Sequence, residues 1–210
     1  MGGFFGAASR KSCKYDVFFG TDYHSHLGTK RGGLAFFDPD KGFQRQIHNI
    51  ENTPFRTKFE SDLEKFSGCY GLGCISDTDP QPLLVRSHLG LFAISTVGII
   101  TNAEELVEKT FSGPGYQFMA MSSGKVNATE LTAALINRCD NLIDGIRYAQ
   151  AAIEGSCTIL ILNRDGLIAA RDSMGRLPIV IGQSEKGCCA AMESFACQKL
   201  GYQPCYNLGP

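Results

Sequence analysis

Strand-like segments in this chain fall into two blocks, and the best helical periodicity lies between them. The first block holds apolar stretches over residues 3–8, 32–37, 68–75, 83–87 and 90–100. The second holds 157–163, 167–171, 178–182 and 187–192. Between the blocks, Leu131, Leu135, Cys139 and Leu142 recur at helical spacing, and 142–152 reads as a second helix in register with the first. Strands and helices therefore do not alternate as βαβ units. A doubly wound parallel sheet is disfavoured, and the expected class is α+β with layered antiparallel sheets.

Turn chemistry sharpens the outline. Asp38-Pro39-Asp40 closes the strand at 32–37, with 44–50 as its hairpin partner. Asn163-Arg164-Asp165-Gly166 is a tight turn joining 157–163 to 167–171. Residues 90–100 read as a strand, a turn or a hairpin. Phe59, Leu63 and Phe66 predict an amphipathic helix over 55–66, whereas 16–27 carries weaker helical spacing, broken at Gly20. Asn102 is the expected N-cap of a helix over 102–110, with Glu104 and Glu105 in its first turn. Residues 112–115 read as a loop. The best helix begins at Asn127 or Thr129, and a last helix over 194–200 ends at Gly201. The Pro- and Gly-containing stretch 202–210 reads as an exit linker.

Composition excludes several classes. At 210 residues, 43% hydrophobic and 20% charged, the chain is an ordinary globular one, with room for one large domain or two small ones. A net charge of −1 gives no basic footprint for nucleic acid. No apolar run reaches the roughly 18–20 residues that span a bilayer, so no membrane partner is expected. The N-terminus lacks a signal-peptide pattern, so a cytoplasmic location is expected. The nine cysteines are scattered without a Cys-x-x-Cys pair, which favours reduced, buried thiols over disulfides or a zinc site. No metal and no cofactor is expected.

The second block carries the most specific pattern. Gly155-Ser156-Cys157 opens an apolar strand that leads to Leu167-Ile168-Ala169-Ala170-Arg171-Asp172, and Gly175 and Pro178 follow. Next comes Ala191-Met192-Glu193-Ser194-Phe195-Ala196. Upstream lie Pro80-Gln81-Pro82 and Thr101-Asn102-Ala103-Glu104-Glu105-Leu106, and the chain opens Met1-Gly2-Gly3-Phe4-Phe5-Gly6. Taken alone, these residues read as scaffold. Gly166 and Gly175 serve turns, Pro178 marks an edge, and Arg171-Asp172 is a charge pair at a strand end. In order and spacing they resemble, along the whole chain, the glutaminase domain of class II glutamine amidotransferases of the amidophosphoribosyltransferase type. That resemblance implies an N-terminal nucleophile hydrolase-like fold, a four-layer αββα sandwich of two antiparallel sheets. It implies a domain over residues 1–201 and a linker over 202–210 leading toward a phosphoribosyltransferase domain.

The family's nucleophile is the Cys that follows Met, with its own α-amino group as base. Here that position is Gly2, which has no side chain. The Arg that clamps the substrate carboxylate falls at Ser76, which cannot pair bidentately. The oxyanion-hole Asn falls at Val97, while the following Gly98, which supplies a backbone N–H, is retained. The Asp that holds the substrate amino group falls at Ala128, and a further Arg falls at Leu27. Loss of one oxyanion donor costs on the order of 10²–10³ in rate. Loss of a nucleophile costs about a millionfold. The resemblance thus implies no catalytic residue and a degenerate pocket at Ser76, Val97 and Ala128, open to a small-molecule ligand. The expected role is a structural, regulatory or interaction module that has lost glutamine hydrolysis. Its expected partner is a phosphoribosyltransferase domain or subunit, and the full-length protein is expected to be a homo-oligomer.

Two enzymatic alternatives stand beside this. One is an active glutamine amidotransferase with rebuilt residues, supplying ammonia to phosphoribosyl pyrophosphate in purine synthesis, or else a hydrolase using the freed α-amino group of Gly2. The other is a metal-dependent hydrolase built on His24 and His26, whose imidazoles share one face if they lie on a strand. Only His48 and His88 remain as further histidines, neither in a ligand-like setting, and a polar helix or loop edge explains the pair more simply. Cys13 and Cys69 have no neighbouring base and read as inert thiols.

Overall fold

Successive side chains of the first strand, β1 (Gly2–Ser9), enter different cores. Phe4 joins one buried cluster and Phe5 another, as the two-residue period of a strand requires. The computed structural model describes residues 2–111, 121–122 and 125–210. After β1 come α1 (Lys14–Asp22), β2 (Arg31–Asp38), β3 (Gly42–Asn49), α2 (Phe55–Phe59) and β4 (Tyr70–Ser76). Then follow β5 (Leu83–Ser87), β6 (Gly90–Ile100) and α3 (Ala103–Phe111). A short pair, β7 (Met121–Ser122) and β8 (Lys125–Val126), precedes α4 (Ala128–Ile136) and α5 (Leu142–Ala152). The chain continues with β9 (Gly155–Asn163), β10 (Gly166–Ala170), β11 (Val180–Ser184), β12 (Gly187–Ala191), α6 (Ser194–Lys199) and β13 (Gln203–Asn207).

The strands form a seven-stranded sheet, β13-β11-β12-β1-β4-β2-β3, and a four-stranded sheet, β10-β9-β6-β5. Their ladders are antiparallel throughout. Alternate residues of each sheet point in and out. Phe4, Ala35 and Leu72 meet Ala93, Leu160 and Leu162 between the sheets. Phe5, Leu34 and Phe36 face the other way, onto Val17 and Phe18 of α1 and Phe55 and Phe59 of α2. Phe92, Ile94, Ile159 and Ile161 pack under Leu131 and Leu135 of α4 and Ile146 of α5. The result is the four-layer αββα sandwich of α+β class.

Three local expectations are corrected and one is refined. Helix α1 runs through Gly20 instead of breaking there. A Cβ at Gly20 would come within 2.7 Å of Phe5 Cδ2, so the glycine lets the helix lie directly on β1. The helix at 55–66 stays α-helical only to Phe59 and tightens to a 3-10 helix over Glu60–Lys65. The tighter turn carries Asp62 inward, where its carboxylate accepts from His48 Nε2 and Lys65 Nζ. Asn102 holds the N-cap position, its carbonyl accepting from the Leu106 N–H (3.0 Å), but its side chain turns elsewhere: Oδ1 accepts from the Glu154 N–H (2.9 Å) and Nδ2 donates to the Ala152 carbonyl (3.0 Å). The stretch 202–210 is not a free linker. Gln203–Asn207 form β13 at the sheet edge, Tyr202 is fully buried, and the Leu208 N–H donates to the Ile179 carbonyl (2.9 Å). The loop expected at 112–115 lies outside the described residues. Residues 90–100 resolve as the single strand β6.

Candidate functional site

The ladder between β1 and β12 stops at Phe5↔Ala191, whereas that between β1 and β4 runs on to Gly2↔Ser76. The first residues of β1 therefore pair on one side only. There the two sheets leave a cavity of about 480 Å³. That volume lies within the roughly 300–1,000 Å³ of small-molecule sites. Gly2 stands at its wall with Ile75 and Ser76 from the end of β4. Thr78, Asp79 and Gln81 come from the loop that follows. Thr96 to Ile99 of β6, Ala128 of α4 and Ser156 of β9 form the opposite side, and Arg176 and Leu177 close the rim.

Backbone-directed side chains hold this wall in place. The Gln81 amide pairs with Thr96 in both directions: Thr96 N–H donates to Oε1 (2.8 Å) and Nε2 donates to the Thr96 carbonyl (3.0 Å). Such pairing satisfies buried groups that would otherwise be orphaned. Thr96 Oγ1 meets Thr129 Oγ1 at 2.7 Å and ties β6 to α4. Asn127 caps α4, its Oδ1 accepting from the N–H groups of Thr129 (2.8 Å) and Glu130 (3.1 Å). Asp79 Oδ2 accepts from the Ala128 N–H (3.1 Å), which places a carboxylate at the positive end of the helix.

The rim loop is fixed by Arg171 and Asp172. Buried Asp172 accepts from the N–H groups of Cys157 and Gly175, both at 3.1 Å. Arg171 donates to the carbonyls of Leu177 (2.7 Å), Leu208 (2.8 Å) and Gly175. Asp77, just beyond β4, accepts from the Thr29 N–H at 2.7 Å. Burial pushes its carboxyl up, but that hydrogen bond helps hold it below the usual carboxylate range.

The positions singled out from the sequence gather here. Gly2, Ser76, Val97, Gly98 and Ala128 all line the one cavity. Leu27 does not; it packs beneath Gly3 on the helix-facing side. Gly98 has φ +155°, and a Cβ there would fall inside 3.0 Å of the Ser156 carbonyl oxygen. Gly2 is equally confined: a Cβ would fall inside 3.0 Å of the Ile75 carbonyl oxygen. The described lining holds no thiol and no imidazole. Among the described residues Ser76 Oγ has long contacts, accepting from the Thr78 N–H at 3.3 Å and meeting Thr78 Oγ1 and Gln81 Nε2 at 3.4 Å each, with no base among them. Nothing in that arrangement activates a hydroxyl. The buried thiols of Cys74 and Cys157 are pushed up to about 12, chiefly by burial, and stay protonated.

The histidine pair does not form a metal face. His24 is fully buried with Nδ1 at 2.7 Å from the Gly20 carbonyl, and burial lowers its pKa. His26 is exposed, with Nε2 at 3.1 Å from Glu193 Oε1. Both lie on or beside a 3-10 turn rather than a strand, which removes the geometry the hydrolase alternative needs. Among the described residues no three His, Cys, Asp or Glu side chains group as metal ligands.

The profile of a family described as a glutamine amidotransferase domain matches residues 57–197. The chain belongs to that family. Two archaeal amidophosphoribosyltransferases are among the relatives of this amidotransferase domain. The one from Methanocaldococcus jannaschii is 27% identical over 212 residues, covering 95% of this chain and 44% of the relative. The one from Archaeoglobus fulgidus is 27% identical over 184 residues, covering 84% and 39%. The solved glutamine phosphoribosylpyrophosphate amidotransferase from B. subtilis, complexed with ADP and GMP, shares the fold. Its TM-score is 0.85 at 23% identity, over 99% of this chain and 45% of that one. The chain thus spans less than half the length of these proteins. Among the described residues no helix is long and apolar enough to cross a membrane.

Sequence reasoning assigned no role to Asp79, Gln81, Arg176 or Leu177. Gln81 sits in a recognised motif, but its pairing with Thr96 joins residues 15 apart and has no local signal. Arg176 lies in a run that read as scaffold, and only the fold turns it to the cavity rim.

Proposed function

We propose that this domain no longer hydrolyses glutamine and serves as a regulatory or interaction module within an amidophosphoribosyltransferase-like protein of purine synthesis. The observation that carries the reading is the chemistry of one cavity wall. Gly2 occupies the nucleophile position, Ser76 the carboxylate clamp, Val97 the oxyanion side chain and Ala128 the amine clamp. All of them line the same 480 Å³ cavity. No side chain among them is an activated nucleophile, and none can hold both ends of an amino acid. The retained Gly98 offers at most a backbone N–H, and one donor without a nucleophile has no intermediate to stabilise. The glycine at position 2 also has no room for a larger side chain.

The likeness to amidophosphoribosyltransferases supports a phosphoribosyltransferase domain or subunit as partner, and the full-length protein is proposed to be a cytoplasmic homo-oligomer. An amidotransferase supplying ammonia to phosphoribosyl pyrophosphate would need an activated nucleophile, and the described lining provides none. Incubation with glutamine and detection of glutamate and ammonia tests the reading. No release above a protein-free blank is expected. Turnover that persists through repurification and is abolished by a bulky substitution at Ala128 would overturn it.

A further inference from the structure

We propose that the cavity binds a small monocarboxylate with an apolar body. This rests on the reading above, because a working glutaminase would hold glutamine in the same space.

The walls set the apolar requirement. Val97, Ile99 and Leu177 face the cavity, with Ala128 and Gly2 between them, and none offers a hydrogen-bonding side chain. Ile99 is 65% exposed, an unusual state for a β-branched residue at the mouth of a cleft. A ligand that covers it gains the burial the chain itself does not supply.

Charge sets the polar end. Arg176 is the one cationic residue of the described lining. Among the described residues it forms no hydrogen bond or ion pair. The acids nearby already have partners. Asp79 is 7% exposed, accepts from the Ala128 N–H and sits at the positive end of α4. Asp77 accepts from the Thr29 N–H. Arg176 is thus the charged group of the described lining left without a partner, which favours an anion over an amine at the rim. A guanidinium matches a carboxylate through two parallel hydrogen bonds. A single cation and mostly apolar walls suit a monoanion better than a phosphate. The hydroxyls of Ser76, Thr78 and Ser156 add polar contacts to the same space.

Pre-organisation favours the site. The loop carrying Arg176 is held by Arg171 and Asp172 through five backbone groups: the carbonyls of Leu177, Leu208 and Gly175 and the N–H groups of Cys157 and Gly175. Little loop ordering remains to be done on binding. The volume equals about sixteen waters at roughly 30 Å³ each. A ligand of about ten non-hydrogen atoms fits with room to spare, and its Kd falls between about 10 μM and 1 mM.

Calorimetric titration of the protein with 4-methylpentanoate and phenylacetate, against the matched amides and amines, tests this. The carboxylates are expected to bind about tenfold or more tightly than their amides. Arg176→Gln removes an exposed, unpartnered side chain and leaves the fold intact. It is expected to bring carboxylate affinity down to that of the amide, while Arg176→Lys retains part of the preference. Val97→Asn weakens carboxylate and amide alike. Equal binding of carboxylate and amide overturns the proposal, as does tighter binding of the amine or no binding up to about 10 mM. Glutamate release from glutamine in the same samples reports separately. Hydrolysis would overturn the inactive reading, whereas loss of the carboxylate preference without hydrolysis overturns this inference alone.

Discussion

Placing a cysteine at position 2 is expected to damage the fold without creating a glutaminase. The Gly2→Cys Cβ would fall inside 3.0 Å of the Ile75 carbonyl oxygen, and it would also meet Ile75 C and Ser76 Cα at 3.4 Å. An ordinary carbon–oxygen contact is about 3.3–3.6 Å. The end of β1 must therefore move off β4, loosening the Gly2↔Ser76 pair. Overpacking of this kind costs about 1–3 kcal/mol. In a domain of this size each kcal/mol lowers Tm by about 2–4 °C. The new thiolate would still face Val97 where a donor is needed, a deficit on the order of 10²–10³ in rate. Ser76 and Ala128 would still leave both ends of the substrate unheld. Thermal melts and glutamate release, measured on the same preparation, give the two readouts. An unchanged Tm together with glutamine turnover that a thiol-alkylating reagent abolishes would refute both the contact argument and the residue correspondence.

Other expectations follow from the same geometry. Gly20→Ala gains about 1 kcal/mol of helix propensity but sets a Cβ within 2.7 Å of the Phe5 ring; overpacking of about 1–3 kcal/mol wins, and a raised Tm would contradict it. Asp172→Ala leaves the buried Cys157 N–H without its carboxylate acceptor, while the Gly175 N–H keeps the backbone carbonyl of residue 172 at 3.0 Å. Denaturant melts should show a loss of about 1–3 kcal/mol, and an unchanged stability would contradict the role. His24 has its pKa lowered by burial, so the unfolded chain takes up this proton near the ordinary value of about 6.5 before the native one does. Stability is then full above that value and falls as pH drops through it, and His24→Gln should flatten the Tm change between about pH 7.5 and pH 5; an identical slope in both proteins would contradict it.

What could be read from the sequence was what short-range chemistry controls. The turn at 163–166 and the helix opening at Asn127 carry their own signals, and both stand where expected. The central place of β1 does not. Phe5↔Ala191 joins opposite ends of the chain, and no local pattern marks it. Helix α1 was obscured by Gly20, because a residue required by packing against Phe5 looks like a helix breaker when read alone. Strand β13 was obscured by Pro204, yet an edge strand tolerates a residue that cannot donate. What anchors it is Tyr202, buried with its hydroxyl donating to Asp16 Oδ2 at 2.8 Å. At the cavity, resemblance located Gly2, Ser76, Val97 and Ala128. It was silent on Asp79 and Gln81, whose roles are hydrogen bonds to backbone across the fold.

That division explains how this sandwich is held largely by residues other than those singled out at the cavity. Ser76 and Ala128 belong to none of the three buried apolar clusters, so their identity contributes little to stability, whereas Gly2 and Gly98 stand where a Cβ would meet a neighbouring carbonyl oxygen. The contacts that shape the cavity are made by other residues: Gln81 to Thr96, Asn127 to the start of α4, Asp172 to β9 and the rim. Val97 differs, because it is 7% exposed and packs in the cluster between the sheets. A polar amide there would lose apolar burial and would need a partner, at a cost of about 1–3 kcal/mol. At position 97 a side-chain amide donor and a well-packed core would thus compete directly. At position 2 the competition is with the backbone, where any Cβ meets the Ile75 carbonyl oxygen, so the two positions resist a catalytic side chain by different means.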